Sequence, residues 1–149
     1  MASDPRILKH RPVVLLDYAR HDGLYPEDRT DCRYVSLGWA QYDQRQLSVK
    51  ILRHTGDRWS RQSEELPLHR CIDATALIAQ TVAQASAGDG ITLPAHFLER
   101  QDRPQAMPLE ADSEVDREEF LAKLTDPLVL RRLGKLADIL ITLREDGRV

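Results

Sequence analysis

Aromatic side chains are scarce in this chain. They make up 5% of its 149 residues, so aliphatic groups must fill whatever core it builds. There are two cysteines, Cys32 and Cys71, and their spacing suits neither a metal knuckle nor a disulfide framework; two reduced thiols are expected. No apolar run approaches the about 18 residues needed to cross a bilayer. The N-terminal MASDPRILKHRP lacks the apolar stretch, about 7–15 residues, of a secretory leader. These absences predict a cytoplasmic protein with no membrane partner. The seven glycines are scattered, and none forms the GxxxxGK or GxGxxG pattern that cradles phosphate. GxSxG, HExxH and paired CxxC are absent too. P-loop ATPase, Rossmann enzyme, α/β-hydrolase and zinc-ribbon readings therefore lose their usual support, and no cofactor can be named.

What remains is the composition of an ordinary soluble globule, 42% hydrophobic and 30% charged. The length suits one domain spanning 1–149, able to bury roughly 70% of its unfolded surface. The net charge of −3 is uneven: residues 1–70 hold 12 Lys/Arg against 10 Asp/Glu, and residues 71–149 hold 9 against 14. Seventeen of the 21 basic residues are arginine. A GC-rich genome would account for that bias, which also supplies planar, forked donors for carboxylate or phosphate. An acidic chain without a continuous basic stripe gives no support to nucleic-acid binding.

Pro12 to Tyr18 is a short apolar run with β-branched residues and reads as a strand. Residues 19–32 are turn-rich, and Arg33 to Trp39 reads as a second strand. Gln46 to His54 alternates Leu47, Val49 and Ile51 against Ser48, Lys50 and Leu52, the pattern of a half-buried strand. Thr55-Gly56-Asp57 turns the chain, and Arg58 to Gln62 is placed to return antiparallel.

Helical period begins at Pro67. Leu68, Cys71, Thr75, Ile78, Val82 and Ala85 recur at three- and four-residue steps, predicting a helix over 67–87 with Pro67 in its first turn. Residues 91–111, with Pro94, Pro104 and Pro108, read as a loop holding one short helix at 95–100. Asp112 or Ser113 caps a helix running to Leu124. Asp126 and Pro127 then start a last helix over 127–144, whose stripe of Val129, Leu133, Leu136, Leu140 and Leu143 is expected to be buried. Strands first and helices second predict α+β: a small, mostly antiparallel sheet packed against three or four helices. The wide aliphatic face of the last helix also suggests a homodimer.

The chemistry concentrates at 53–73, RHTGDRWSRQSEELPLHRCID. These 21 residues hold four arginines, four carboxylates, two of the five histidines and one of the two tryptophans. Arg53, Arg61 and Arg70 could hold an anion by charge-assisted hydrogen bonds, with His54, Trp59 and His69 shaping the pocket. His69 and Asp73, four apart, share one helix face and could pair on a metal or as base and orienting carboxylate. They lack a visible third ligand, so no metal site is assigned. Glu64 and Glu65 precede that helix and suit electrostatic capping of its N-terminus, an ion network or acid–base work. For Trp59 itself, anchoring a hairpin against a helix is the favoured reading over stacking on a base, a sugar or a guanidinium.

The run Ala40-Gln41-Tyr42-Asp43, Arg53-His54-Thr55-Gly56, Trp59-Ser60-Arg61-Gln62-Ser63-Glu64-Glu65 and Pro67-Leu68-His69-Arg70 resembles the core of a small bacterial protein family of unknown function. The resemblance covers about 30 residues and implies that the segment is a family hallmark. It brings no activity, cofactor or partner with it.

Three functions fit these residues. The first is recognition at 53–73 of an anionic small molecule or an acidic partner segment. The second is a metal-assisted or acid–base hydrolase using His69, Asp73, His54 and Glu64 or Glu65. The third is a structural adaptor whose arginines and carboxylates neutralise one another inside the fold.

Overall fold

The computed structural model of the chain describes residues 9–22, 24–43, 45–60, 64–84, 90–109 and 113–149. The architecture is α+β, with a four-stranded antiparallel sheet in the N-terminal half and three helices that follow it. By its internal contacts the chain divides into two compact units, Met1–Ala74 and Thr75–Val149. No helix among the described residues is long and apolar enough to cross a membrane.

The sheet of the first unit runs β1 (Arg11–Asp17), β2 (Cys32–Trp39), β3 (Leu47–Arg53), β4 (Glu65–Pro67), in that spatial order and antiparallel throughout. The three long strands fall where apolar runs and alternation predict them. β1 carries a bulge between Pro12 and Val14, opposite Gly38. A side chain at Gly38 would collide with the Arg11 carbonyl oxygen and come within 2.9 Å of Pro12 Cα. Glycine at 38 is thus what lets β1 approach β2 at the bulge.

Two side chains organise the connections. Asp22 accepts hydrogen bonds from the Leu24 and Tyr25 N–H groups at 3.1 and 3.2 Å, and from the Thr30 hydroxyl at 2.8 Å. Asp43 accepts from the Arg45 N–H at 2.9 Å in the turn before β3. Past β3 the chain turns at Gly56, whose φ of 90° is free of strain only in glycine. The predicted antiparallel return is a single bridge, Trp59 to His54, extended by the Ser60 N–H donating to the Arg53 carbonyl at 2.7 Å. Residues 61 and 62 of that return lie outside the described residues.

Pro67 corrects the expected helix start. It pairs with Ser48 as the last residue of β4, and α1 (Leu68–Gln84) begins one residue later. The missing N–H of proline is tolerated here because β4 is an edge strand. At the other end of α1, Gln84 binds the Thr92 backbone as a strand would: it accepts from the N–H at 2.7 Å and donates to the carbonyl at 2.8 Å.

Residues 91–111 hold a second correction. β5 (Gly90–Leu93) and β6 (Gln105–Pro108) form an antiparallel hairpin where a loop was expected. The helix predicted at 95–100 is a series of turns in which His96 and Arg100 both have φ of 63°. The prolines that argued against a strand sit at its margins, with Pro94 just after β5, Pro104 just before β6 and Pro108 at its end.

α2 (Glu114–Leu124) and α3 (Pro127–Glu145) follow their caps. The Ser113 hydroxyl accepts from the Asp116 N–H at 3.1 Å, and an Asp126 carboxylate oxygen accepts from the Leu128 N–H at 2.8 Å. Asp112 lies outside the described residues. The expected burial of the α3 stripe is not found. No residue of α3 is buried; Val129, Leu133, Leu136 and Leu143 are half-covered, and Leu140 is exposed.

Candidate functional site

The two faces of the β1–β4 sheet divide the residues against expectation. Register places Val14, Leu37, Val49 and Leu66 in one rung across all four strands, with Leu16, Val35 and Ile51 beside it. This face is apolar, yet Val14 is 58% and Leu66 45% exposed. The opposite face carries the rung Leu15, Ser36, Lys50, Glu65. There Ser36, Ser48, Lys50 and Leu52 are buried. In β3, therefore, burial falls on Ser48, Lys50 and Leu52 rather than on Leu47, Val49 and Ile51.

His10, just before β1, is fully buried against this polar face. Its Nδ1 lies 3.0 Å from Glu65 Oε1, and its Nε2 lies 2.8 Å from Ser36 Oγ. A neutral imidazole satisfies both contacts, with Nδ1–H donating to the carboxylate and Nε2 accepting from the serine hydroxyl. The Ser48 hydroxyl donates to Glu65 Oε1 at 2.6 Å, and the Gln41 backbone N–H donates to the same oxygen at 3.1 Å. Lys50 Nζ sits 3.9 Å from Glu65 Oε2 and donates to Gln41 Oε1 at 3.3 Å. The Glu65 side chain is only 4% exposed. Burial opposes its ionisation, but the hydrogen bonds from Ser48, Gln41 and His10, with the Lys50 charge, outweigh it and hold the carboxyl below its ordinary range.

The sequence-derived candidates are thus distributed, and β4 is the reason. Glu65 lies on a strand and points into the polar cluster, so it is no helix cap; the first turn of α1 has no acidic residue. Glu64 is exposed and lies 3.5 Å from Arg53. Arg53 is also held by Asp31, its Nε donating at 2.6 Å, which raises its already high pKa. His54 is buried, and its ring lies nearly perpendicular to that of Trp59 with centroids 4.9 Å apart; the Tyr34 ring is tilted against the same indole at 5.9 Å. Trp59 therefore anchors the turn. His69, Arg70 and Asp73 are exposed on the first turns of α1, and among the described residues no hydrogen bond or ion pair joins His69 to Asp73. Arg61 lies outside the described residues. Among those described, no three His, Cys, Asp or Glu side chains are grouped to hold a metal.

Sequence reasoning missed His10, Ser36, Ser48, Lys50 and Gln41. The available signal was polar: Ser48 and Lys50 alternate within one strand, and Ser36 interrupts another. Such residues mark a buried polar face as well as a solvated one, and only pairing register separates the two.

Chemically, Ser36, His10 and Glu65 stand in the order hydroxyl, imidazole, carboxylate that a nucleophile, base and orienting group require. Ser36, however, is 1% exposed. The cysteines are not joined by a disulfide, and burial, followed by the nearby Asp22 and Asp31 charges, raises the Cys32 pKa.

No curated protein and no solved structure matches the chain. A family model matches residues 1–113, which takes in β1 to β6 and α1 and leaves α2 and α3 beyond it. That match is far wider than the 40–70 segment and covers most of the chain, which therefore belongs to the family of unknown function DUF6530.

Proposed function

We propose that this chain acts through assembly rather than catalysis, as a structural adaptor closed by a second copy of itself. One observation carries the reading: the sheet is inverted. Arg53, Glu64 and Glu65 find their partners within the first unit, while the apolar rung through Val14, Leu37, Val49 and Leu66 is partly or largely exposed. A contiguous apolar face of this kind on a soluble chain marks an interaction surface. Arg53, first among the candidate anion-binding residues, is already bracketed by Asp31 and Glu64. The reading takes the protein to be bacterial and cytoplasmic, where the thiols of Cys32 and Cys71 would stay reduced.

Sedimentation at tens of micromolar tests it. A dimer of the 17.0 kDa chain supports the adaptor reading, and a single monomeric species removes it. Recognition of an anionic small molecule is checked by a thermal-shift screen, since a ligand at 100 times its dissociation constant adds about 2.7 kcal/mol. A shift that disappears in Arg70→Ala would favour that reading instead.

A hydrolase remains the second reading, moved from His69 and Asp73 to His10. The Ser36–His10–Glu65 contacts of 2.8 and 3.0 Å favour it. Labelling of Ser36 by a fluorophosphonate probe, abolished in His10→Ala, would establish it.

A further inference from the structure

Lys50 lies in the middle of β3 and is only 7% exposed, a rare position for a lysine. An ammonium group carries three N–H donors. Among the described residues Nζ has two polar neighbours. It donates to Gln41 Oε1 at 3.3 Å, and Glu65 Oε2 stands 3.9 Å away, too far for a hydrogen bond. Glu65 Oε2 is itself buried and has no hydrogen-bond partner among the described residues. Surplus donors thus stand beside a spare acceptor, and both are costly in a buried place. We propose that Lys50 and Gln41 join in an isopeptide bond, made by the folded chain itself with loss of ammonia. The ion pair described above is the state before the bond.

The three side chains bring what the reaction needs. A lysine amine is a nucleophile once it has given up a proton. Glu65 is the base: Ser48 and the Gln41 N–H hold its Oε1 at 2.6 and 3.1 Å, and Oε2 is left for Nζ. The same 3.1 Å bond fixes the backbone of Gln41, and Lys50 holds its carboxamide. With a C=O length of about 1.23 Å, Nζ lies within about 4.5 Å of the Gln41 carboxamide carbon. Rotation of the lysine side chain covers the remaining approach.

The step balances without an outside reagent. Nζ passes one proton to Glu65 Oε2 and attacks the carboxamide carbon. Glu65 hands that proton to Gln41 Nε2, the bond between Nε2 and the carbon breaks, and ammonia departs. A second proton leaves Nζ through the same carboxylate and goes to the ammonia. One C–N bond forms, one breaks, nothing is oxidised, and Glu65 is a carboxylate again. The product keeps a single N–H on Nζ, beside Oε2. It removes the buried positive charge and gives the spare acceptor a donor. The bond closes a ring from 41 to 50 over the turn that Asp43 organises, tying the segment just past β2 to β3. It is independent of whether the chain dimerises.

Intact mass spectrometry of the purified full chain tests this. The wild type should weigh about 17 Da less than its sequence, the mass of one ammonia. The sequence contains no asparagine, so ammonia loss by cyclisation at that residue is absent. Trypsin should release a species joining Tyr34–Arg45 to Gln46–Arg53, uncut after Lys50. Gln41→Ala, at an exposed position, should fold and keep the full sequence mass. Glu65→Gln should also keep it, with circular dichroism confirming that the variant is folded. A wild type of full sequence mass overturns the proposal. So does a gain of about 1 Da, the mark of a Gln41 amide hydrolysed by water instead. A deficit that persists in Gln41→Ala overturns it as well, and one that persists in Glu65→Gln overturns the role of Glu65 as base.

Discussion

Glu65 and His10 lie 55 positions apart in sequence and meet at 3.0 Å beneath the sheet. The contact ties the segment before β1 to β4, the two edges of a four-stranded sheet. Removing either partner leaves the other buried with part of its hydrogen bonding gone.

Glu65→Ala should therefore cost about 3–5 kcal/mol in urea denaturation, because Lys50 stays buried without its counter-charge and His10 and Ser48 lose their acceptor. Replacing the charges together, Lys50→Met with Glu65→Leu, should recover only part of that loss, because His10, Ser48 and the Gln41 N–H still lose the acceptor that Glu65 supplied. A cost below about 1 kcal/mol for Glu65→Ala would mean that the cluster contributes little to the fold.

The same carboxylate sets a pH response. Its folded pKa lies below the ordinary value of 4.5. Its contribution is therefore present above about 4.5 and is lost as pH falls through the lower folded value. Thermal melts of the wild type should lose stability across that acid window, and Glu65→Gln should flatten this part of the profile. An unchanged acid limb in the variant would assign the loss to other carboxylates.

Most strands and all three helices were legible in the sequence because each rests on local signals: apolar runs, alternation, Ser113 and Asp126 as caps. What was hidden is non-local. Alternation in β3 separates Leu47, Val49 and Ile51 from Ser48, Lys50 and Leu52, but it does not say which set is covered. That depends on His10 arriving from before β1 and on Glu65 arriving from β4. The β5–β6 hairpin was hidden for a different reason, since Pro94, Pro104 and Pro108 sit at its ends and mask two four-residue strands.

Two glycines should respond in opposite ways to alanine. At Gly38 the added carbon would strike the Arg11 carbonyl oxygen, so Gly38→Ala should destabilise by about 1–3 kcal/mol. At Gly134, in the interior of α3, the same carbon meets nothing within 4 Å, and Gly134→Ala should stabilise the helix by about 1 kcal/mol. Thermal melts of the two variants check both signs.

Cys32 should be the slower thiol. It is buried and its pKa is raised, so little thiolate forms at pH 8 and a reagent must wait for local opening. Alkylation followed by mass spectrometry should modify Cys71, which is only half-buried, well before Cys32. Equal rates would mean that β2 opens readily at its first residue.

The division into Met1–Ala74 and Thr75–Val149 carries an optical consequence. Both tryptophans, Trp39 and Trp59, and all four tyrosines, Tyr18, Tyr25, Tyr34 and Tyr42, belong to the first unit. Tryptophan and tyrosine emission therefore watches the first unit alone, whereas the 222 nm helical band draws heavily on α2 and α3. Two traces recorded on one sample, superimposable or displaced, would reveal whether the halves melt as one cooperative body.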